Sequence, residues 1–452
     1  MRQHPHIFAA IKQEMVDWRM WLGRALVLVY AAVAGLTIVA FTWLGEHALQ
    51  AFHILQVAHW WAPLVWTPLS AACIVWITRR FAPGAAGSGI PQVMAALEPE
   101  VHGPGRSLFV SLKLSFAKMF LTVWGLLAGL SLGREGPSVQ IAAGVMHNLR
   151  KWIPKQAQVS DHGLLIAGGA AGIAAAFNTP LGGVMFAIEE LSKNPDKRSN
   201  GLVLAAIVLS GLMAVSIYGN ASYFGVIHIE NLGIALLFPA LLVSVASGIL
   251  GGLFSRLLQV SLAGTSKDWF SRLRAKSPVV FAAACGLLIV VMGLASSGAT
   301  FGSGYAHTRA LLENHGEDFY LYVPFKFIAT WLTTWSGVPG GIFAPSLAIG
   351  GALGRDVAQI TSYVNAPTLI ALGMAGFLAA VTQAPLTAFI IVMEMVDGHA
   401  LVLSLMTCAL VSSGVSRLIS VPLYASLAHL QLLRLPSQEK KGASKGSKQS
   451  TH

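Results

Sequence analysis

Two acidic residues and three glycine-proline motifs are the candidates for chemistry in this sequence. Glu135 and Glu190 stand beside or within long apolar stretches. A charged side chain there costs roughly 2.5–3.5 kcal/mol to insert into a membrane, which predicts a function for it. The motifs are GSGIP at 87–91, GREGP at 133–137 and GIFAP at 341–345.

Each motif opens the end of an apolar helix and exposes backbone amides that no preceding carbonyl satisfies. Such helix N-termini carry a partial positive charge and bind anions. Three of them together predict an anion site without a full cation, from which the anion can leave again. One motif alone fits tight helix packing equally well, like the GxxxG spacings at Gly125/Gly129 and Gly350/Gly354.

Glu135 is predicted to be a gate. A carboxylate at a helix N-terminus competes for the place of an anion, and protonation would free that place. The alternative is a structural ion pair with Arg134, its neighbour in the chain. Lys118, 17 residues before Glu135, is predicted to raise the local potential for anions. For this lysine the alternative is snorkelling towards the membrane surface.

An internal repeat relates the two halves of the chain. Residues 168–189 match residues 373–394 at seven of 22 positions with a constant offset of 205, which pairs Glu189 with Glu394. A weaker match of 133–138 with 341–346 lies three residues out of that register. Lys193, Lys197 and Arg198 follow only the first copy, so we expect opposite orientations in the membrane, as in many transporters. Chance similarity between small-residue helices is the alternative.

Glu190 is the asymmetric member of an acidic pair. Adjacent residues lie about 100° apart on a helix, so Glu189 and Glu190 face different surroundings. The repeat matches Glu189 with Glu394 but Glu190 with Met395. Glu189 is therefore predicted to be architectural, and Glu190 to carry protons from the cytoplasmic side or, alternatively, to be a simple helix-end charge.

The composition indicates that these residues belong to a membrane protein. Only 11% of the 452 residues are charged and 55% are hydrophobic, whereas soluble chains carry about 25% charged residues. A disordered chain, a coiled coil and an ordinary cytosolic enzyme are excluded. Stretches without Asp, Glu, Lys or Arg, each longer than the ~18 residues that suggest a membrane span, lie at 25–45, 47–78, 162–188, 199–229, 231–255, 277–308, 357–393 and 398–416. The sequence predicts an all-α polytopic membrane protein.

Some of these stretches are broken. Asn178, Thr179 and Pro180 divide 162–188 into two half-spans, and similar breaks fall at 133–137 and 337–345. Backbone freed at a break cannot face lipid, so it must line a cavity enclosed by protein.

The basic residues behind the net charge of +11 lie where the positive-inside rule expects cytoplasmic loops. Membrane topology therefore explains the charge, and we expect no nucleic-acid partner. Basic residues gather at 150–155, 193–198, 256–276 and 440–448, placing both termini in the cytoplasm. Cys73, Cys285 and Cys408 are predicted to be small core residues. No signal peptide, metal motif or nucleotide motif is found, and the GxSxG match at 129–133 lacks a preceding strand.

GSGIP, GREGP and GGIFAP, in this order and at these separations, resemble the CLC family of chloride channels and chloride/proton antiporters. The resemblance runs from about residue 20 to 430 and includes AAAFNTPLGGVMFAIEE and QAPLTAFIIVMEM. It implies a homodimer with one anion pathway per subunit, built from two inverted halves of broken and tilted helices. The halves would span about 21–220 and 230–430, between a cytoplasmic segment at 1–20 and a basic cytoplasmic tail at 431–452.

The resemblance also assigns roles. Ser88 and Tyr424 would offer hydroxyls to chloride, and Ile342 and Phe343 their amides. Glu135 would be the external gate and Glu190 the internal proton glutamate. The supporting residues would be Gly87, Gly89, Ile90, Pro91, Lys118, Gly133, Arg134, Gly136, Pro137, Gly341 and Pro345.

A serine at 88 resembles chloride-selective members, and an acid at 190 resembles proton-coupled exchangers. The resemblance therefore favours a chloride/proton antiporter in a bacterial inner membrane, not an enzyme, with chloride, protons, lipid and a second copy as partners and no metal or cofactor. The alternatives are a passive voltage- or pH-gated chloride channel and, more remotely, an intramembrane hydrolase using Ser131. Met94 departs from bacterial relatives, which often place an acid there.

Overall fold

The computed structural model describes residues 18–101, 104–153, 159–192, 200–219, 223–225, 233–313 and 320–433. The predicted segment 1–20 and the tail 431–452 fall almost entirely outside these ranges, as do Lys193, Lys197 and Arg198. The helices are α1 Trp18–Ala58, α2 Ala62–Phe81, α3 Ile90–Leu97, α4 Pro104–Ser107, α5 Leu112–Leu127, α6 Glu135–Asn148, α7 Asp161–Phe177, α8 Pro180–Phe186, α9 Asn200–Tyr218, α10 Leu237–Ala263, α11 Trp269–Lys276, α12 Pro278–Ala295, α13 Tyr305–Leu312, α14 Tyr322–Ser336, α15 Phe343–Ile360, α16 Ala366–Thr382, α17 Pro385–Met395, α18 Val402–Arg417 and α19 Leu423–Leu433. No strand occurs in the described ranges.

Six helical segments are long and apolar enough to cross a membrane within the part of the chain that the structure describes. They are Met20–Ala58, Gly105–Leu127, Gly201–Tyr218, Ile234–Ala263, Pro278–Ala295 and His399–Arg417. Two of them, Gly201–Tyr218 and Ile234–Ala263, lie largely within the uncharged stretches 199–229 and 231–255, as predicted. Shorter apolar helices, α7, α16, α17 and α19, complete the set.

The break inside 162–188 is confirmed. Asn178 takes the left-handed conformation at φ 57° and ends α7, and Pro180 opens α8. The second half repeats this solution at the offset of 205, with Gln383 at φ 60° and Pro385 opening α17. The predicted repeat is thus a repeat of structure.

Two of the uncharged stretches do not correspond to single helices. The stretch 47–78 is shared between two helices, because α1 continues through Glu46 to Ala58 and α2 starts at Ala62. The stretch 357–393 contains the end of α15, all of α16 and part of α17. In these stretches the absence of charged residues indicates apolar surroundings, but it does not give the length of a helix.

A pair of reciprocal caps joins the halves. Glu189 accepts hydrogen bonds from the amides of Leu386 (3.1 Å) and Thr387 (2.6 Å) at the start of α17. Glu394 accepts from the amides of Leu181 (3.2 Å) and Gly182 (2.7 Å) at the start of α8. Each glutamate satisfies orphan donors of the other half's helix. The architectural role predicted for Glu189 is confirmed.

The GxxxG spacings have different outcomes. A Cβ on Gly350 or Gly354 of α15 would overlap carbonyl oxygens of α16, so these glycines let the two helices approach closely. Gly129 lies beyond the end of α5 at φ 70°, where a Cβ would overlap the ring of Phe52. Gly129 thus permits a turn rather than a helix contact.

Candidate anion site

Three helix N-termini meet inside the protein. Gly133 and Gly341, just before α6 and α15, exchange backbone hydrogen bonds of 2.7 and 2.8 Å. The amide of Gly340 donates to the carbonyl of Gly87, in the loop before α3, at 3.1 Å. The structure therefore brings GSGIP, GREGP and GIFAP together.

Glycines make this approach possible at two positions. Gly89, the N-cap of α3, has φ 114°, and a Cβ on it would overlap the carbonyl of Gly136. A Cβ on Gly136, in the first turn of α6, would overlap the hydroxyl of Ser88. Only glycine at both positions lets the first turns of α3 and α6 touch.

The residues predicted to bind chloride lie close together in the structure. The hydroxyls of Ser88 and Tyr424 are buried, lie close enough to interact, and have no well-formed hydrogen bond among the described residues. Phe343 begins α15, and its ring stacks on that of Tyr424 with centroids 6.0 Å apart. The amides of Ile342 and Phe343 precede the first intrahelical bond of α15 and have no acceptor in the described ranges. Buried donors without acceptors are what an anion needs.

The carboxylate of Glu135 lies at the same helix end. This side chain is 1% exposed, and its Oε2 accepts a hydrogen bond from the amide of Ala344 at 3.3 Å. Ala344 follows Phe343 in the first turn of α15. The carboxylate therefore lies at the N-terminus of α15, where the helix dipole favours a negative charge.

Arg134 does not pair with Glu135 as the structural alternative supposed. Its guanidinium forms an ion pair with Glu46 at 3.1 Å and donates to the carbonyl of Thr42 and the hydroxyl of Tyr223. These contacts fasten the start of α6 to α1. Sequence reasoning missed Glu46 and Tyr223, because 88 and 89 residues separate them from Arg134 and no local pattern connects them.

Glu190 differs from its neighbour as expected. It lies in a π-helical turn over Ala187–Leu191 after α8, is half-buried, and has no hydrogen bond or ion pair among the described residues. It is near enough to Tyr424 to interact with it electrostatically. In the described ranges Glu190 thus accepts no hydrogen bond, whereas Glu189 accepts from two amides.

Lys118 is fully buried and does not snorkel. Its ammonium donates to the carbonyls of Ala85 and Gly87 and so holds the loop that carries Ser88. Met94 is buried on α3, and no carboxylate forms an ion pair with Lys118 within the described ranges. The remaining supporting residues, Gly87, Ile90, Pro91, Pro137 and Pro345, lie in the same loops and first turns.

The competing chemistries find no support in the geometry. The hydroxyl of Ser131 is hydrogen-bonded to that of Thr330 at 2.8 Å and not to a histidine. In the part of the chain that the structure describes, no group of three or more His, Cys, Asp or Glu side chains could hold a metal. Cys285 and Cys408 are buried, as expected of core residues, whereas Cys73 is only half-buried.

Comparison with known proteins identifies the family. Residues 70–417 match the family model described as voltage gated chloride channel. The chain belongs to this family. H(+)/Cl(-) exchange transporter ClcA of Citrobacter koseri is 32% identical over 439 residues, covering 91% of this chain and 89% of the relative. ClcA of Klebsiella pneumoniae strain 342 is also 32% identical, covering 94% and 93%.

Solved structures of the family share the fold. A slow cyanobacterial Cl-/H+ antiporter superposes with a TM-score of 0.78 at 25% identity, covering 91% of this chain and 98% of that one. A CLC-type fluoride/proton antiporter superposes with a TM-score of 0.74 at 21% identity, covering 91% and 99%, and this likeness concerns the fold alone. The all-α fold of two inverted repeats with broken helices, predicted from the sequence, is confirmed.

Proposed function

We propose that this membrane protein exchanges chloride for protons, with Glu135 alternating between the anion's place and a protonated state. One observation carries the proposal. Among the described residues, the buried hydroxyls of Ser88 and Tyr424 form no well-formed hydrogen bond, and they lie beside the start of α15, where the Glu135 carboxylate accepts from Ala344. Hydroxyls and amides attract a halide without a full charge, so the ion can be released again.

Chloride and the Glu135 carboxylate compete for the N-terminus of α15, and this competition couples chloride movement to proton movement. While Glu135 is ionised, its carboxylate accepts from Ala344 and excludes an anion there. A proton delivered to Glu135 weakens that bond, since a neutral carboxyl is a poorer acceptor for a helix N-terminus. Chloride then enters, and loss of the proton restores the carboxylate. In this mechanism Glu135 binds a proton each time the anion's place opens and releases a proton each time it closes.

Glu190 supplies the second proton site in this proposal. It carries no hydrogen bond among the described residues that would hold it ionised, and it lies near Tyr424. Protons would pass from the cytoplasm to Glu190 and then to Glu135. The names of the ClcA relatives and of the cyanobacterial antiporter support exchange over passive conduction.

The setting completes the proposal. The chain acts as a homodimer with one pathway per subunit in a bacterial inner membrane, with both termini in the cytoplasm. Exchange of two small ions requires no cofactor and no covalent chemistry, so the protein is a transporter and not an enzyme.

Proton movement driven only by chloride tests the proposal. The protein is reconstituted in liposomes with equal pH and equal potassium on both sides, and valinomycin holds the voltage at zero. Chloride is higher outside, and a trapped dye reports internal pH. We expect internal pH to rise as chloride enters, because each entering chloride drives protons outward.

Glu190→Val provides the matched control. We expect chloride flux without proton movement in this variant. Chloride flux without any pH change in the wild type would instead establish a passive channel, in which the glutamates serve gating or structure.

A further inference from the structure

A second buried lysine lies in the second half of the chain. Lys326 of α14 is 0% exposed, and its ammonium donates to the carbonyls of Thr300 (3.0 Å) and Gly302 (2.7 Å). Lys118 of α5 makes the same pair of bonds to the carbonyls of Ala85 and Gly87. In each case the two acceptors are two residues apart in a loop.

The two lysines are equivalent under the internal repeat. They are 208 positions apart, the same separation as Gly133 and Gly341, which pair reciprocally at the centre of the fold. Lys118 precedes Glu135 by 17 residues, and Lys326 precedes Phe343 by 17 residues. Each lysine is therefore connected to a helix N-terminus at the anion site by the same length of chain.

The loops that the lysines hold are equivalent as well. Gly302-Ser303-Gly304 repeats the letters of Gly87-Ser88-Gly89. The glycines have φ 63° and 85° in the second loop, and 76° and 114° in the first. Each loop leads directly into a helix of eight residues, α13 and α3 respectively. The first loop supplies the Ser88 hydroxyl, so its lysine positions a ligand.

The side-chain nitrogen of Lys326 is buried, and its stem lies close to α15. No carboxylate forms an ion pair with it among the described residues. A Cβ on Gly304 would lie 3.2 Å from Cε of Lys326 and would also touch Ala348 of α15. Ala348 follows Phe343 by five residues, about 7.5 Å along the helix axis. At a separation of about 10 Å and an effective dielectric constant of 20, a unit charge alters the affinity for a monovalent anion about tenfold.

We propose that Lys326 is a positioning residue for the transported anion, equivalent to Lys118: it holds the 300–304 loop, and its charge raises chloride affinity from the second half. This inference rests on the proposed function. It assigns two separable contributions to the Lys326 side chain. The hydrogen bonds to the loop need only an N–H donor, whereas the electrostatic attraction of chloride needs the positive charge.

Three variants separate the contributions. Lys326→Gln keeps N–H donors for the loop carbonyls and removes the charge, whereas Lys326→Arg keeps both. Tyr322→Phe is the matched control, because its hydroxyl lies beside Gly304 near Lys326 and has no hydrogen-bond partner in the described ranges. For each variant, chloride KM and maximal rate are measured in liposomes, chloride affinity by calorimetry, and folding by size-exclusion chromatography.

We expect Lys326→Gln to fold, to raise chloride KM and Kd about tenfold, and to keep its maximal rate and proton coupling. Lys326→Arg and Tyr322→Phe should stay within about twofold of the wild type, which corresponds to less than 0.5 kcal/mol. Lys118→Gln should resemble Lys326→Gln.

A folded Lys326→Gln variant with wild-type KM would overturn the inference, since the charge would then be without effect. A variant that does not fold would overturn it too. The inference requires that the glutamine amide can replace the lysine as hydrogen-bond donor to the loop carbonyls. Absence of chloride flux in the wild type would instead refute the proposed function.

Discussion

The reciprocal caps formed by Glu189 and Glu394 permit a prediction in which each substitution acts on the opposite half of the chain. Glu189 lies in the turn after α8 but accepts from amides at the start of α17. Glu394 lies on α17 but accepts from amides at the start of α8. Glu189→Ala should therefore loosen α17, and Glu394→Ala should loosen α8.

The magnitude follows from the bonds lost. Each substitution removes two hydrogen bonds to a charged acceptor, worth about 1.5 kcal/mol each at the low end of their range. Both glutamates are half-buried, so water replaces part of this energy. About 2 kcal/mol remains, at the upper end of the cost of losing an N-cap. That value corresponds to about a 30-fold increase in local opening.

Hydrogen exchange with peptide-resolved mass spectrometry measures this opening in the detergent-solubilised protein. In Glu189→Ala we expect about 30-fold faster exchange over residues 386–388 and little change over 181–183. Glu394→Ala should give the opposite pattern. Glu190→Ala is the matched control, because this adjacent carboxylate caps no amide among the described residues and should leave both segments protected.

Faster exchange only in the helix that carries the substituted glutamate would refute the cross-capping. So would equal effects of Glu189→Ala and Glu190→Ala, since they would trace the change to the charge of the region rather than to specific bonds.

Three further predictions concern the anion site. Glu135→Gln should conduct chloride without proton movement and lose its pH dependence, because an amide mimics the protonated gate; persistent proton coupling in the liposome assay would contradict this role. Tyr424→Phe should weaken chloride binding about tenfold in calorimetry, since one donor of about 1.5 kcal/mol is lost, and unchanged affinity would exclude the hydroxyl as a ligand. Gly136→Ala should weaken chloride binding at least as much as Tyr424→Phe, because its Cβ would overlap the Ser88 hydroxyl; wild-type affinity in calorimetry would show that the serine is dispensable.

The broken helices were predictable because their causes are local. Only Thr179 separates Asn178 from Pro180 in the sequence, and their equivalents Gln383 and Pro385 end and begin helices in the same way. The internal repeat identified Glu189 and Glu394 as equivalent residues. It could not name the amides that they cap, because those lie about 200 residues away and meet the glutamates only in the assembled fold.

Lys326 could have been found from the sequence but was not. Its equivalence to Lys118 needs an offset of 208, while the GSG loops need 215 and the glutamate pair needs 205. Loops of unequal length shift the register, so a search at one fixed offset loses the match. Glu46 carries no comparable signal, because its contact with Arg134 joins residues 88 positions apart and forms only when the helices pack.

The cross-capping also imposes an order on biosynthesis. At about 5–20 residues per second, a ribosome that has just made Glu189 needs roughly 10–40 s more to reach Glu394. During that interval the start of α8 is already present, but the carboxylate that satisfies its amides has not been made. A chain that ends anywhere between the two glutamates therefore lacks the carboxylate that caps α8.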